Sequence, residues 1–237
     1  MPTMRVTEIG CMGVKPSLDV MDDDTPEGQI LSNLYNYVVA APGGPLCVYW
    51  GLEAEDPSYL WAFFDWDSLE AHHNFAKTLG QEAVKSLPKI LTRGGFTKHI
   101  PATPSLPATL QSAVTQVILA YFASDRPPTV ADAAIAHLED WQDNEIENVS
   151  GIEALSYGWG VEKDFPVRGD PLDQRASIFL SVFGFNDVAA QRNFKESLAL
   201  EKLLGRIRGT EGFVKLEVFS ICFRSASRDN EGDSRGM

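Results

Sequence analysis

Apolar residues are concentrated in two sets of four strand-like segments, and each set also contains two helical patterns. The first set of segments is about Met4–Val14, Leu46–Glu53, Tyr59–Trp66 and Phe96–Ile100. The second set is about Val114–Phe122, Ile152–Glu162, Ser177–Phe185 and Phe213–Phe223. A helical pattern follows the first and the third segment of each set. The order strand, helix, strand, strand, helix, strand is therefore predicted twice along the chain.

Short similarities between the two sets indicate a duplication, because they recur in one order with offsets of 108 to 119 residues. They pair Val6-Thr7-Glu8-Ile9 with Val114-Thr115-Gln116-Val117, Trp50-Gly51-Leu52-Glu53 with Trp159-Gly160-Val161-Glu162, Asn74-Phe75 with Asn193-Phe194, and Gly95-Phe96 with Gly212-Phe213. Each copy has the order of a ferredoxin-like unit. We assign residues 1–100 to the first unit, 101–113 to a linker, and 114–224 to the second unit. The polar tail, 225–237, is expected to be disordered.

The third strand of each unit is apolar at consecutive positions, as in Tyr59–Phe64 and Ile178–Phe183. An antiparallel sheet with one wet face alternates apolar and polar residues, so both faces of these strands are expected to be covered. The helices of one unit cover one face. The sheet of the other unit is the simplest cover for the second face. We therefore predict an α+β fold in which two tandem ferredoxin-like units pack sheet to sheet as one barrel-like core.

Composition limits the partners and the compartment. The formal net charge of -13 disfavours nucleic acid and anionic membrane surfaces. No apolar run approaches the roughly 18 residues of a membrane helix, and no secretory signal is visible near Met1. The three cysteines, Cys11, Cys47 and Cys222, are expected to be reduced in a cytoplasmic protein. The oligomeric state stays open, and a homo-oligomer is one option.

Titratable residues near the third strand of the first unit are the candidates for proton transfer. His72 and His73 lie on the predicted helix after Trp66, and either imidazole could face a pocket. Asp65 lies among aromatic residues, where burial would raise its pKa and make it a base. The alternative is that both histidines lie at a helix edge and that Asp65 reaches solvent. Their counterparts in the second unit, Gln191 and Arg192, cannot exchange protons near neutral pH.

Aromatic residues in the same region are candidates for substrate binding. Trp66 could form a wall for a flat molecule, and Phe75 follows on the next helix. Trp50 and His99 complete the candidate set, although Trp50 has an apparent duplicate and His99 aligns with the core-like Leu216. Each of these four has an alternative as a packing residue. We find no metal-ligand spacing and no phosphate-binding loop, and therefore expect no metal, flavin or nucleotide cofactor.

The stretch Trp66-Asp67-Ser68-Leu69-Glu70-Ala71 resembles the Trp-x-Ser-x-x-Ala pattern of the antibiotic biosynthesis monooxygenase family. These are dimeric α+β barrel proteins, and the tandem arrangement is similar to fungal proteins in which one chain supplies both halves. The second copy, from Phe185 to Ala190, has lost the motif. The resemblance implies a pocket between sheet and helices. Haem breakdown is disfavoured, because Lys85 stands where the haem degraders of the family have a histidine.

The resemblance leaves the reaction open, because the family includes monooxygenases, cyclases, decarboxylases and proteins with no known reaction. The first hypothesis is a cofactor-independent enzyme of secondary metabolism that acts on an aromatic or polyketide-like molecule, as a monooxygenase or by proton transfer alone. The second is a non-catalytic binding or structural barrel. A third, minor alternative is a haem protein of the chlorite dismutase-like group, for which His137 is the histidine of the second unit.

Overall fold

The computed structural model describes residues 4–169 and 174–228. The first half contains β1 (Val6–Val14), α1 (Pro26–Ala40), β2 (Cys47–Leu52), β3 (Tyr59–Trp66), α2 (Leu69–Lys77), α3 (Gly80–Ala83), a 3₁₀ turn (Val84–Lys89) and β4 (Leu91–Ile100). A short helix, α4 (Pro107–Leu110), lies between the halves. The second half contains β5 (Val114–Phe122), α5 (Pro128–Glu145), a 3₁₀ turn (Ile146–Asn148), β6 (Ile152–Trp159), β7 (Phe165–Pro166), β8 (Arg175–Phe185), α6 (Val188–Lys195), α7 (Leu198–Arg208), β9 (Phe213–Ile221) and β10 (Arg224–Ser227).

Two antiparallel sheets form the centre of the molecule. The first has the strand order β10-β2-β3-β1-β4. The second has the order β6-β8-β5-β9, with β7 paired to β8. In the first sheet β1 lies between β3 and β4, and in the second sheet β5 lies between β8 and β9, as in a ferredoxin-like unit.

The inner faces of the two sheets pack against each other in one apolar core. That core joins residues of β1 and β3, such as Ile9, Trp61 and Phe63, with residues of β5 and β9. The ring of Trp61 stacks on Phe219 of the other sheet with 4.8 Å between centroids. Each outer face is covered by the helices of its own half. The predicted α+β fold with sheet-to-sheet packing is confirmed.

Buried polar contacts also join the halves. The buried carboxylate of Glu53 accepts hydrogen bonds from Arg168 of the second half and from Trp61 Nε1, the latter at 2.7 Å. Arg168 also lies over the ring of Tyr59, with 3.7 Å from its guanidinium carbon to the centroid. A buried carboxylate without such partners would be strongly destabilising. The two halves are therefore linked by charge as well as by apolar packing.

Each half also adds chain to the sheet edge of the other. β10 pairs with β2, with Arg224 opposite Trp50. In the matching place, Thr103 of the linker forms a bridge with Tyr157 of β6. The expectation of disorder from residue 225 onward is wrong for Ser225–Ser227, because they fill backbone hydrogen bonds at the edge of β2. The remainder of the predicted tail, 229–237, lies outside the described residues.

Local sequence explains where helices α1, α2 and α6 begin. Thr25 accepts a hydrogen bond from the backbone N–H of Gly28, and Pro26 opens α1. The Ser68 hydroxyl accepts from the N–H of Ala71 at the start of α2, and Asp187 does the same for Ala190 at the start of α6. The serine of the Trp-x-Ser motif thus fixes the start of α2 directly after Trp66.

Strand pairing corrects the alignment of the two copies. Trp50 lies opposite Ala62, whereas Trp159 lies opposite Phe179, two residues beyond the equivalent position. The counterpart of Trp50 is therefore Tyr157. Similarly, Glu8 faces His99 while Gln116 faces Ser220, so the counterpart of His99 is Ser220 and not Leu216. The short sequence identities were out of register with the fold in both places.

Candidate functional site

A cavity of about 310 Å³ lies between the outer face of the first sheet and helices α1, α2 and α3. Most of its wall is apolar or aromatic. Its polar groups include the carboxyl group of Glu8 and the imidazole of His72. The apolar and aromatic side chains that line it include Met12, Leu34, Tyr35, Val38, Phe64, Trp66, Phe75, Val84 and Leu87. This is the side of the first sheet on which the sequence predicts a pocket.

Glu8 places a carboxyl group against this apolar wall. It lies on β1, and its side chain is directed to the helix-covered face. Burial raises the pKa of Glu8 from 4.5 to about 7, although a hydrogen bond from Trp66 acts in the opposite direction. The indole Nε1 of Trp66 donates to Glu8 Oε2 at 2.8 Å. Near neutral pH this carboxyl group is therefore able both to take up and to release a proton.

His72 stands next to Glu8 and is connected to a second imidazole. Its Nε2 lies 3.4 Å from Glu8 Oε2, and its Nδ1 lies 2.7 Å from Nε2 of His99. Burial lowers the pKa of His72 to about 4, and the neighbouring His99 and His73 act in the same direction. His72 is therefore neutral at pH 7, and its contact with Glu8 is a contact between a neutral imidazole and a titrating carboxyl group.

A carboxylate from the second half holds the outer end of this chain. Glu162 accepts a hydrogen bond from the backbone N–H of His99 at 2.9 Å, and its other oxygen lies 2.6 Å from Nδ1 of His99. Burial alone would raise the pKa of Glu162, but these hydrogen bonds outweigh it and lower the pKa. An ionised Glu162 requires the proton of His99 to lie on Nδ1. In the neutral tautomer with its proton on Nδ1, the Nε2 of His99 can accept from Nδ1–H of His72.

The structure separates the predicted site residues into three groups. Trp66, Phe75 and His72 line the cavity, and His99 contacts His72 from behind. His73, the neighbour of His72, is exposed and does not line the cavity. The sequence could not tell these two histidines apart, and their helix positions place only His72 over the sheet.

Asp65 and Trp50 do not reach the cavity. Asp65 is buried with a raised pKa, as expected from the sequence, but strand alternation places it on the same face as Phe63, toward the second sheet. Asp65 therefore does not face this cavity. Trp50 is on the helix-covered face, packed against Tyr35 with 4.8 Å between ring centroids, and is not part of the wall.

Glu8 is the candidate site residue that the sequence interpretation missed. The sequence showed it only as one position of the repeated segment Val6-Thr7-Glu8-Ile9. Its signal was a carboxylate inside a strand that is otherwise mainly apolar, replaced by a glutamine in the other copy. An acid that cannot be exposed is a candidate for a raised pKa.

Glu8, His72 and His99 offer one carboxylate and two imidazoles, with ligand atoms within 4.8 Å of one another. Such a set could hold a divalent metal. The geometry favours a hydrogen-bonded chain, because His72 directs its two nitrogens to different partners. One imidazole can present only one of them to an ion. This arrangement does not test the expectation that the protein binds no metal.

The second half has neutral side chains in place of Glu8, His72 and His99. Glu8, His72 and His99 correspond to Gln116, Gln191 and Ser220, and Trp66 corresponds to Phe185. The amide of Gln191 donates to Gln116 Oε1 at 2.5 Å and to the Ser220 hydroxyl at 2.9 Å. These neutral groups satisfy one another in a buried network.

The counterpart of Glu162 is Glu55, and it crosses between the halves in the same way. Glu55 accepts hydrogen bonds from the backbone N–H of Ser220 at 2.8 Å and from its hydroxyl at 3.1 Å. Both bridging carboxylates are therefore retained. The two sites differ in the groups that these carboxylates hold and in Lys195, whose Nζ lies 2.6 Å from Glu55 Oε1.

Comparison with solved structures identifies the fold. A protein described as anthrone oxidase-like superposes with a TM-score of 0.64 at 16% identity, over 95% of this chain and 94% of that one. A candidate monooxygenase from Fusobacterium nucleatum gives 0.61 at 10% identity, over 96% of each chain. A mutant chlorite dismutase from Candidatus Nitrospira defluvii gives 0.51 at 14% identity, over 93% of this chain and 92% of that one. At these identities the likeness establishes the fold that they share.

No family model and no curated protein matches the sequence. Within residues 4–169 and 174–228, none of the helices combines the length and the apolarity needed to cross a bilayer.

Proposed function

We propose that this protein is a cofactor-independent enzyme that removes a proton from a small aromatic or polyketide-like molecule bound in the cavity of the first half. The observation that carries the proposal is Glu8, a buried carboxyl group with a pKa of about 7 in an apolar wall. A base is most effective when its pKa lies near the working pH. The proposed place of the reaction is secondary metabolism, as the sequence resemblance implies.

The wall of the cavity supports a flat and largely apolar substrate. Trp66 and Phe75 offer aromatic faces, with 5.5 Å between their ring centroids. Aromatic faces of this kind favour stacking with flat rings. An anionic substrate is disfavoured, because the described wall contains no lysine or arginine and His72 is neutral at pH 7.

In the oxygenase form of the proposal, Glu8 takes a proton from an acidic C–H group of the substrate. The substrate anion then gives its electrons to O₂, so that a CH₂ group and one O₂ become a ketone and water. The names of two structural neighbours, a candidate monooxygenase and an anthrone oxidase-like protein, favour this form. Proton removal without oxygen would instead give isomerisation, cyclisation or decarboxylation.

Anthrone, a flat tricyclic ketone with one acidic CH₂ group, tests the proposal directly. The purified protein should consume one O₂ for each anthraquinone formed. Glu8→Gln keeps the shape of the side chain but removes its proton transfer, and it should lower turnover by roughly 10²- to 10⁴-fold. Full turnover by Glu8→Gln would contradict the assignment of the base.

Two other outcomes separate the alternatives. Exchange of the anthrone CH₂ with D₂O, without O₂ uptake, would support proton transfer but not oxygenation. Binding of anthrone without exchange or oxidation would favour the non-catalytic barrel. His73→Ala is the control, because this exposed imidazole neighbours His72 without reaching the cavity.

A further inference from the structure

A continuous line of titratable groups leads from the cavity to the surface between the halves. It begins at the buried Glu8 and passes through His72 and His99. It ends at Glu162, whose side chain is 28% exposed. The separations along this line are 3.4, 2.7 and 2.6 Å. Two of the three are hydrogen bonds, and the first needs only a small approach of Glu8 to His72.

We propose that Glu162, supplied by the second half, is the outer end of a proton-conducting chain that connects Glu8 with solvent. This inference rests on the proposed function, because a base that removes a proton from a substrate must afterwards pass it on. Trp66 donates to Oε2 of Glu8, the oxygen that His72 also approaches, and its indole carries no titratable proton. His72 is the imidazole in contact with Glu8, and it leads only to His99.

The proton moves outward by one step at each group. Protonated Glu8 gives its proton to Nε2 of His72, and His72 passes its Nδ1 proton to Nε2 of His99. His99 passes its Nδ1 proton to Glu162, which releases it to water. Each imidazole stays neutral and changes tautomer. Movement in the opposite direction returns a proton to the product and resets both imidazoles.

Glu162→Gln and Glu55→Gln form a matched pair of variants. In both positions a carboxylate contacts the other half and accepts a hydrogen bond from a backbone N–H. The donor is His99 of β4 for Glu162 and Ser220 of β9 for Glu55. Their side chains are 28% and 32% exposed. The single amide oxygen of glutamine can still accept the backbone N–H, but an NH₂ group replaces the other oxygen, and the side chain cannot take up a proton. Each variant removes one bridging carboxylate, and Glu55→Gln also removes the ion pair with Lys195, so it is the more demanding control for the fold. Only Glu162→Gln interrupts the line of titratable groups.

The first measurement needs no substrate. In ¹⁵N NMR of the full chain at pH 7, both His99 and His72 should carry their proton on Nδ1, and the Nδ1 proton of His99 should resonate far downfield because its acceptor is an anion. Glu162→Gln should move that resonance upfield and alter the tautomer balance of His72. Glu55→Gln should leave both unchanged. Unaltered His72 signals in Glu162→Gln would overturn the inference even if Glu8 proves to be the base.

The second measurement uses anthrone turnover. Glu162→Gln should slow turnover about 10- to 100-fold with an unchanged dissociation constant for anthrone, and a small diffusible buffer such as imidazole should restore part of the rate. Glu55→Gln should keep the wild-type rate. A lowered affinity for anthrone, or a rate that no buffer restores, would indicate that Glu162 has only a structural role and would overturn the chain. If the wild-type protein does not turn over anthrone, the NMR comparison alone decides.

Discussion

The two halves share one fold but differ in what lies between the sheet and its helices. In the first half, Glu8 and His72 border a cavity of about 310 Å³. In the second half, four aromatic rings fill the corresponding layer, namely Trp141, Phe183, Phe185 and Phe194, with centroid distances between neighbouring rings of 5.0 to 5.8 Å. The first half thus combines titratable groups with a cavity at this place, whereas neutral amides and aromatic rings occupy the corresponding layer of the second half.

This difference shows which requirements are separable in a duplicated fold. The inner faces of both sheets are needed for the common core, so both copies keep them apolar. The layers between each sheet and its helices differ in their packing and in their polar groups. One retains space and buried acid–base groups, which cost stability. The other replaces them with the mutually satisfied pair Gln116 and Gln191 and with aromatic packing.

Separation of the halves tests the shared core and has the largest expected effect. Cleaving the chain between Pro101 and Pro107 and expressing each half alone would expose the inner sheet face and leave Glu53 without Arg168. Each half is expected to be insoluble or to associate with itself. Sedimentation and thermal melting would check this. A half that is a soluble monomer with a sharp melt would show that the cores are independent.

Truncation of one equivalent aromatic side chain in each half compares the two outer layers. Phe194 is 1% exposed among other rings, and its counterpart Phe75 is 7% exposed at the cavity wall. Phe194→Ala should lower the free energy of unfolding by about 3–5 kcal/mol, and Phe75→Ala by about half as much, because Phe75 already borders empty space. Urea denaturation gives both values. Equal losses would mean that the first layer is as tightly packed as the second.

Stability against pH separates the contributions of Glu8 and His72. Because the pKa of Glu8 rises from 4.5 to about 7, folding favours its protonated form, and this contribution is lost as pH rises through that range. Because the pKa of His72 falls from 6.5 to about 4, its contribution has the opposite slope and is lost as pH falls. Each is worth up to about 3 kcal/mol, so wild-type stability should change little between pH 4.5 and 6.5.

Single variants remove this compensation. Glu8→Gln should become more stable as pH rises from 4.5 to 6.5, and His72→Gln should become less stable over the same range. Urea denaturation at several pH values measures both slopes. Parallel slopes in the two variants would contradict the opposite shifts of the two groups.

The smallest effect is expected at the exposed residues that directly follow His72 and Gln191 in the sequence. His73 and Arg192 occupy equivalent exposed places on α2 and α6. His73→Ala and Arg192→Ala should both change stability by less than about 0.5 kcal/mol and leave turnover unchanged. His72→Ala should lower turnover by roughly 10²-fold or more. A loss of turnover in His73→Ala would place the reaction outside the cavity described above.

The sequence predicted the repeat, the strand order and the shared core, because all three depend on the spacing of apolar residues. It also directed attention to Trp66 and the helix that follows. It placed Asp65 on the wrong face for catalysis, because an apolar strand gives no indication of which face is the inner one. It missed Glu8, whose importance depends on the approach of His72 and Trp66 from distant parts of the chain. It also paired Trp50 with Trp159. A short sequence identity cannot reveal that the two copies differ by two residues in register at this strand.

The exchanged edge strand has a consequence for synthesis of the protein. β10 closes the outer edge of the first sheet, yet the ribosome adds it after every other strand in the described chain. The first half therefore leaves the ribosome with the edge of β2 unpaired. That edge is covered only after the second half has been synthesised. Exposed strand edges are sites of aggregation for nascent chains, so the risk period for this protein extends to nearly the end of translation.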